Sequence, residues 1–108
     1  MYRDCLESDW KLFRKRIGGW QEAYMGRLLQ EYIQLLNAHE KAASEKFWEL
    51  NARIKKDKRH PGVLIDLRRS SMVYDIAVLV NDGAITVVDL DGFSDELKDK
   101  VKNLTRRV

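Results

Sequence analysis

The sequence predicts an all-α domain, a compact bundle of four or five helices, and two observations support this class. In several segments apolar residues recur every three or four positions, which is the spacing of one face of an α-helix. Between these segments lie Gly, Asn and Pro, the residues at which helices commonly end. With 108 residues, of which 44% are apolar, the chain can bury one core and is predicted to form a single domain, residues 1–108.

Two helices are predicted in the first third of the chain. The first has Ser8 as a cap, ends at Gly18 and Gly19, and carries an apolar stripe of Leu6, Trp10, Phe13 and Ile17. The second runs from Trp20 to Leu36 before Asn37. Its broad apolar face consists of Met25, Leu28, Leu29, Tyr32, Leu35 and Leu36.

A third helix is predicted to begin at a Ser44 cap and to end in a basic run before Pro61. Phe47, Leu50 and Ile54 lie on one side of it, with Trp48 beside them. Because a short polar segment joins it to the second helix, the two should pack as an antiparallel hairpin.

Two interpretations compete for the segment from Val63 to Leu90. Its β-branched residues flank Asn81-Asp82-Gly83, which would give an α+β domain with a β-hairpin at 73–90. Alternatively, Met72, Val73, Ile76, Leu79 and Val80 share one helical face that leaves Asp75 and Asp82 outward. Gly83 would then end that helix in the left-handed conformation.

The residues after Gly83 favour the helical interpretation. Thr86 and Asp89 have the spacing of a capping box, and Asp82–Leu90 is similar to the second half of a calcium-binding helix-loop-helix. Val78 and Val80 occupy the positions of the first two ligands, so no calcium is expected.

The last helix is the clearest. Ser94 is its predicted cap, Asp95 and Glu96 stand in the first turn, and the later charges are lysines, an order that suits the helix dipole. Leu97, Val101 and Leu104 form its apolar stripe.

Residue sets that carry chemistry are sparse, so the sequence predicts a protein that is not an enzyme and holds no cofactor or metal. The chain has two histidines, His39 and His60, and neither has a motif neighbour. Gly18-Gly19 is not followed by the Lys and Ser or Thr of a phosphate-binding loop. The acidic residues Asp89, Asp91, Asp95 and Glu96 have local roles as caps or first-turn anions.

Surface features therefore carry the functional prediction. Trp20 and Trp48 are the candidate residues of an interaction surface, because an exposed Trp is a frequent interface anchor. The candidate phosphate contacts are basic residues in three groups: Lys11, Arg14, Lys15, Arg16; Lys55, Lys56, Lys58, Arg59; and Arg68, Arg69. The net charge of +3 is smaller than nucleic-acid-binding modules usually show.

Two further observations bear on location. The longest apolar-rich stretch, Met72 to Val80, already contains Asp75, so no membrane-spanning segment is predicted. The N-terminus lacks a secretory signal, and a single cysteine, Cys5, fits a reducing compartment. These observations predict a cytoplasmic protein.

Much of the chain resembles a family of small uncharacterised bacterial proteins. The likeness lies in DWKLFRKRI at Asp9–Ile17, WQEAYM at Trp20–Met25, KFWEL at Lys46–Leu50, DKR at Asp57–Arg59, GV at Gly62–Val63, DGAIT at Asp82–Thr86 and DLDGFSDELK at Asp89–Lys98. Members of the family carry more Leu and Glu where this chain has Ile76 to Val80, which implies a helix there. Some relatives carry the automatic label "multidrug transporter", which disagrees with a sequence that predicts no membrane span. The resemblance implies no activity and no site residue.

From these observations we expect a non-enzymatic protein-interaction or regulatory module that binds a protein partner or a second copy of itself. The alternative is a nucleic-acid-associated protein that uses the basic residues, which the modest charge does not favour.

Overall fold

The computed structural model describes residues 6–105 and shows an all-α protein. Its helices are α1 (Glu7–Leu36), α2 (Ala43–Asp57), α3 (Met72–Asn81) and α4 (Asp95–Leu104), with 3₁₀ turns at Arg69–Ser71 and Val87–Leu90. The predicted all-α class is confirmed. The alternative β-hairpin at 73–90 is wrong, because α3 occupies most of that segment and residues 6–105 contain no strand.

The prediction that Gly18 and Gly19 end a helix is also wrong, because α1 runs through them. Both glycines are exposed, and neither has the positive φ of a helix stop. A glycine inside a helix costs only about 1 kcal/mol. The buried stripe continues on both sides of the pair, and packing along it outweighs that cost; its members are Phe13, Ile17, Tyr24 and Leu28.

Helix starts agree with the sequence in one case and differ in two. Ser94 caps α4, and its Oγ accepts a hydrogen bond from the backbone N–H of Leu97 at 3.1 Å. The N-cap of α1 is Leu6, so Ser8 lies inside the first turn instead of capping it. In α2 the N-cap is Ala42, whose N–H donates to the Glu45 side chain at 3.0 Å, and Ser44 is again inside the helix.

The core occupies one end of the molecule, where the first half of α1 packs against α3 and α4. Its fully buried side chains are Phe13, Met72, Ile76, Leu79, Leu90 and Val101. The buried Asp9 joins α1 to α4, since its carboxylate accepts hydrogen bonds from the N–H and the Oγ–H of Ser94 at 2.9 and 2.6 Å.

The turn between α3 and α4 follows the sequence prediction. Gly83 has φ +76° and ends α3, a conformation that costs glycine little. The Asp89 carboxylate accepts from the Thr86 N–H at 2.8 Å, which is the predicted box. Arg27 of α1 donates to the Gly83 carbonyl at 2.7 Å and so holds this turn against the long helix.

The second half of α1 extends beyond this core, and α2 is the helix that packs along it. As a result the molecule is elongated, with extents of 58 × 24 × 22 Å. The α1–α2 hairpin predicted from the sequence therefore projects from the core as two helices with few other neighbours.

Candidate interaction surface

Polar contacts hold α2 against α1. Arg53 of α2 pairs with Glu31 at 2.7 Å, and the Tyr32 hydroxyl donates a hydrogen bond to the Asp57 carboxylate. Although α2 is amphipathic, none of its residues is fully buried. An apolar stripe of this kind normally packs against a core, so α2 has an apolar side that residues 6–105 leave uncovered.

The uncovered side continues from α2 onto α1. Large apolar side chains are exposed on both helices, and we call this surface the hairpin face; its members are Leu29, Ile33, Leu36, Phe47 and Ile54. Within α1 they are spaced by four and three residues, and Phe47 and Ile54 are seven apart, so each set shares one side of its helix. Leu29 and Ile54 line the same groove, which places the two sets next to each other.

That groove lies between α1 and α2 and has a volume of about 240 Å³. Apolar side chains form most of its wall, namely Met25, Leu28, Leu29, Ile54 and Val63, together with Tyr32. Asp57 and Lys58 complete the lining. An apolar groove of this size on the surface can take a large side chain from another molecule.

The two candidate tryptophans have different positions. Trp48 is 64% exposed next to Phe47, which is 63% exposed, and the two rings meet edge to face at 5.0 Å. Trp20 is half-buried and packs against the core, with its ring 6.2 Å from both Phe13 and Phe93. The assignment of Trp20 to the exposed surface is therefore corrected, because the continuous α1 turns this ring toward the core.

The contact between Tyr32 and Asp57 predicts a measurable titration. Burial, together with the hydrogen bond to Asp57, raises the pKa of the Tyr32 hydroxyl from its ordinary 10.0 to about 12. Because the folded pKa is the higher one, this contact stabilises the fold fully below pH 10 and loses its effect as the pH rises toward 12. Ultraviolet absorbance of phenolate should show one tyrosine that titrates near pH 12.

Two variants identify that tyrosine. Tyr32→Phe should remove the late transition, and Asp57→Asn should move it back toward pH 10, since the carboxylate then no longer accepts the phenolic hydrogen. A transition near pH 12 that persists in Tyr32→Phe would contradict the assignment to Tyr32.

The predicted phosphate contacts divide into separate groups. Lys11 and Lys15 are exposed on α1, whereas the Arg16 guanidinium donates to the carbonyls of Asp89 and Asp91. Arg14 and Arg69 both lie over the Trp10 ring, at 6.0 and 5.3 Å.

The remaining basic residues lie nearer the end of α2. Lys55, Lys56, Lys58 and Arg59 are exposed there. Arg59 and Arg68 line one depression together with Asp66 and Asp75, and Arg68 pairs with Asp66 at 2.7 Å. Burial raises the pKa of the half-buried Asp75, which the sequence interpretation placed outward. The positive charges on this side are thus interspersed with carboxylates.

His60 is the histidine with the most contacts, and both of its ring nitrogens are engaged. Nδ1 accepts the Gly62 N–H at 2.9 Å, so Nε2 carries the proton that it donates to Asp82, also at 2.9 Å. The ring stacks on Tyr24 with centroids 4.6 Å apart. These contacts fix the loop after α2.

The described residues hold neither a cluster of metal ligands nor a helix that could span a membrane. Within 6–105, no three His, Cys, Asp or Glu side chains come together to hold a metal ion. None of the four described helices combines the length and the apolar character that a bilayer crossing requires. Cys5 lies outside the described residues.

Sequence reasoning named Trp48 as an exposed candidate, placed Phe47 and Ile54 only on the apolar side of a helix, and missed the hairpin face as a unit. The signal was present in the wide apolar arc of α1, where Leu29 and Leu36 accompany Leu28 and Tyr32. One short partner helix covers only part of such an arc, which leaves the rest exposed.

Comparison of the chain with protein-family models, with curated proteins and with solved structures finds no match.

Proposed function

We propose that the protein is a non-enzymatic protein-interaction module that uses the hairpin face to bind apolar helical surface of another polypeptide chain. The observation that carries this proposal is that α2 has an apolar side, a length of 15 residues and no buried residue. Adjacent exposed apolar side chains of this kind characterise interaction sites, whereas single ones are ordinary.

Two features support a specific contact. The exposed pair Phe47 and Trp48 supplies the large aromatic groups that dominate interface energies. The groove beside Ile54 supplies an apolar recess on the same face. A protruding ring and a recess together give the shape complementarity that specific interfaces need.

Nucleic-acid binding through the basic residues stays a prediction. Arg16, Arg68 and Arg69 make contacts within the protein, to backbone carbonyls, to Asp66 and to Glu7 respectively. Since these contacts compete with phosphate, we keep the protein interface as the proposed function.

Site-specific photo-crosslinking in cells tests the proposal. Trp48→p-benzoylphenylalanine should give a covalent adduct with a protein on irradiation, because position 48 is exposed beside the hairpin face. Val88→p-benzoylphenylalanine is the matched control, since Val88 is 80% exposed but lies on the 3₁₀ turn away from the hairpin. We expect at least about tenfold more adduct at position 48 than at position 88. In the complex the partner covers position 48, so the crosslinking group there reacts with the partner and not with water or other proteins. Equal or absent adducts at the two positions would contradict the proposal.

A further inference from the structure

We propose that the occupant of the hairpin face is a second copy of this chain, packed antiparallel so that the two hairpins form a four-helix bundle with two-fold symmetry. This inference rests on the proposed function and identifies its partner. Three properties of the hairpin face support this dimer. They are the exposed area, the charge distribution along α2, and the positions of the Phe47 ring and the groove.

The exposed apolar area suits a dimer. The five residues of the hairpin face and Trp48 are each about 39 to 64% exposed. At roughly 200 Å² for a large side chain, they offer on the order of 600 Å² per copy. A stable specific interface needs about 800 Å² per partner, and the polar border of the helices supplies the remainder. Two amphipathic hairpins that join their apolar sides make the core of a four-helix bundle.

The charge along the hairpin selects the antiparallel arrangement. Residues 40–49, next to the connecting loop, carry three Glu and two Lys. Residues 53–59, at the opposite end of α2, carry five Lys and Arg and one Asp. A parallel pair would bring the two basic ends together, whereas an antiparallel pair sets each basic end against the end of the other copy where Glu outnumbers Lys by one. Charge arrangements at an interface border fix orientation in this way.

The positions of the Phe47 ring and of the groove also require the antiparallel arrangement. Phe47, Asn51, Ile54 and Lys58 form one row along α2, and the groove lies at the Ile54–Lys58 end. Phe47 is at the other end, about 14 Å away at the rise of an α-helix. A two-fold axis near Asn51 exchanges the two ends, so that Phe47 of each copy enters the groove of the other. This reciprocal contact is what a two-fold interface demands.

The mass of the purified protein in solution is the first test. Sedimentation equilibrium over about a hundredfold range of protein concentration should show a dimer of about 25 kDa, twice the 12.7 kDa chain, in equilibrium with monomer. Phe47→Ala should raise the dimer dissociation constant at least about 30-fold, because each substitution removes two symmetry-related contacts. Val88→Ala is the control and should leave the constant unchanged. Circular dichroism verifies that the helices persist.

Disulfide trapping tests the geometry. In a Cys5→Ser background, Asn51→Cys lies near the proposed axis and should form a covalent dimer on mild oxidation. Ala52→Cys is its neighbour, exposed and turned about 100° away around the helix, and should remain a monomer.

The outcomes separate this inference from the proposed function. A monomer at every concentration, or trapping at 52 instead of 51, overturns the second copy as the occupant. In that case an adduct at position 48 with a different protein would still support the interaction module. A dimer that Phe47→Ala weakens and Asn51→Cys traps supports both.

Discussion

Leu79→Ala should destabilise the protein by about 3 kcal/mol, within the range of 2–5 kcal/mol for removal of a buried leucine side chain. Leu79 is fully buried on α3, in the cluster with Phe13, Met72 and Ile76. These neighbouring side chains are themselves fully buried, so they have little freedom to close the cavity. Urea unfolding followed by circular dichroism measures the change as a lower transition midpoint.

Leu64→Ala is the matched control, because it makes the same chemical change at a leucine that is 69% exposed. We expect Leu64→Ala to change the free energy of unfolding by no more than about 0.5 kcal/mol. The pair also tests the helical packing of α3, in which Leu79 and Ile76 are buried and Tyr74 is exposed. Equal losses at 79 and 64 would contradict the burial of Leu79.

Gly62→Ala should destabilise the protein by about 2–3 kcal/mol through overpacking. A Cβ on Gly62 would overlap with Cδ2 of Tyr24 and lie 2.9 Å from its Cγ. The Tyr24 ring cannot easily move away from the added Cβ, because it stacks on His60 and the Arg27 guanidinium lies 5.0 Å from its centroid. Gly62 has no positive φ, so the expected loss comes from these contacts and from a third one, at 3.0 Å to Nδ1 of His60, and not from the backbone conformation.

The control for Gly62 is Gly18→Ala, for which the opposite sign is expected. Gly18 lies in α1 with open space around the position of a Cβ, so alanine there should stabilise the helix by about 0.5–1 kcal/mol. Thermal unfolding of the two variants should move the midpoint down for Gly62→Ala and up for Gly18→Ala. A neutral or stabilising Gly62→Ala would contradict the close packing of Tyr24.

The sequence determined the features that depend on neighbours within one helical turn. The capping residue Ser94, the box of Thr86 with Asp89, and the left-handed Gly83 were all predictable from local pattern. Each relies on hydrogen bonds or φ values that a few adjacent residues set. The choice of a helix for residues 72–81 drew on the spacing of apolar residues and on the residues around Gly83, and the resemblance to a family with more Leu and Glu at Ile76 to Val80 decided it.

Contacts between residues that are remote in sequence decided the length of α1 and which tryptophan is exposed. Gly18 and Gly19 were predicted to end a helix, yet the core on one side of them and α2 on the other keep α1 continuous. That continuity turns Trp20 into the core and leaves Trp48 outside.

The candidate interaction site also depends on tertiary packing and not on local sequence. Phe47 and Leu29 have ordinary places on apolar stripes, and nothing local shows that one will stay exposed while Phe13 or Leu28 is buried. Local signals report which side of a helix is apolar, whereas burial depends on which other helices reach that side. In this protein the sequence determined which side of each helix is apolar, and the tertiary structure left one of those sides open within residues 6–105, because α1 is longer than the core that covers it.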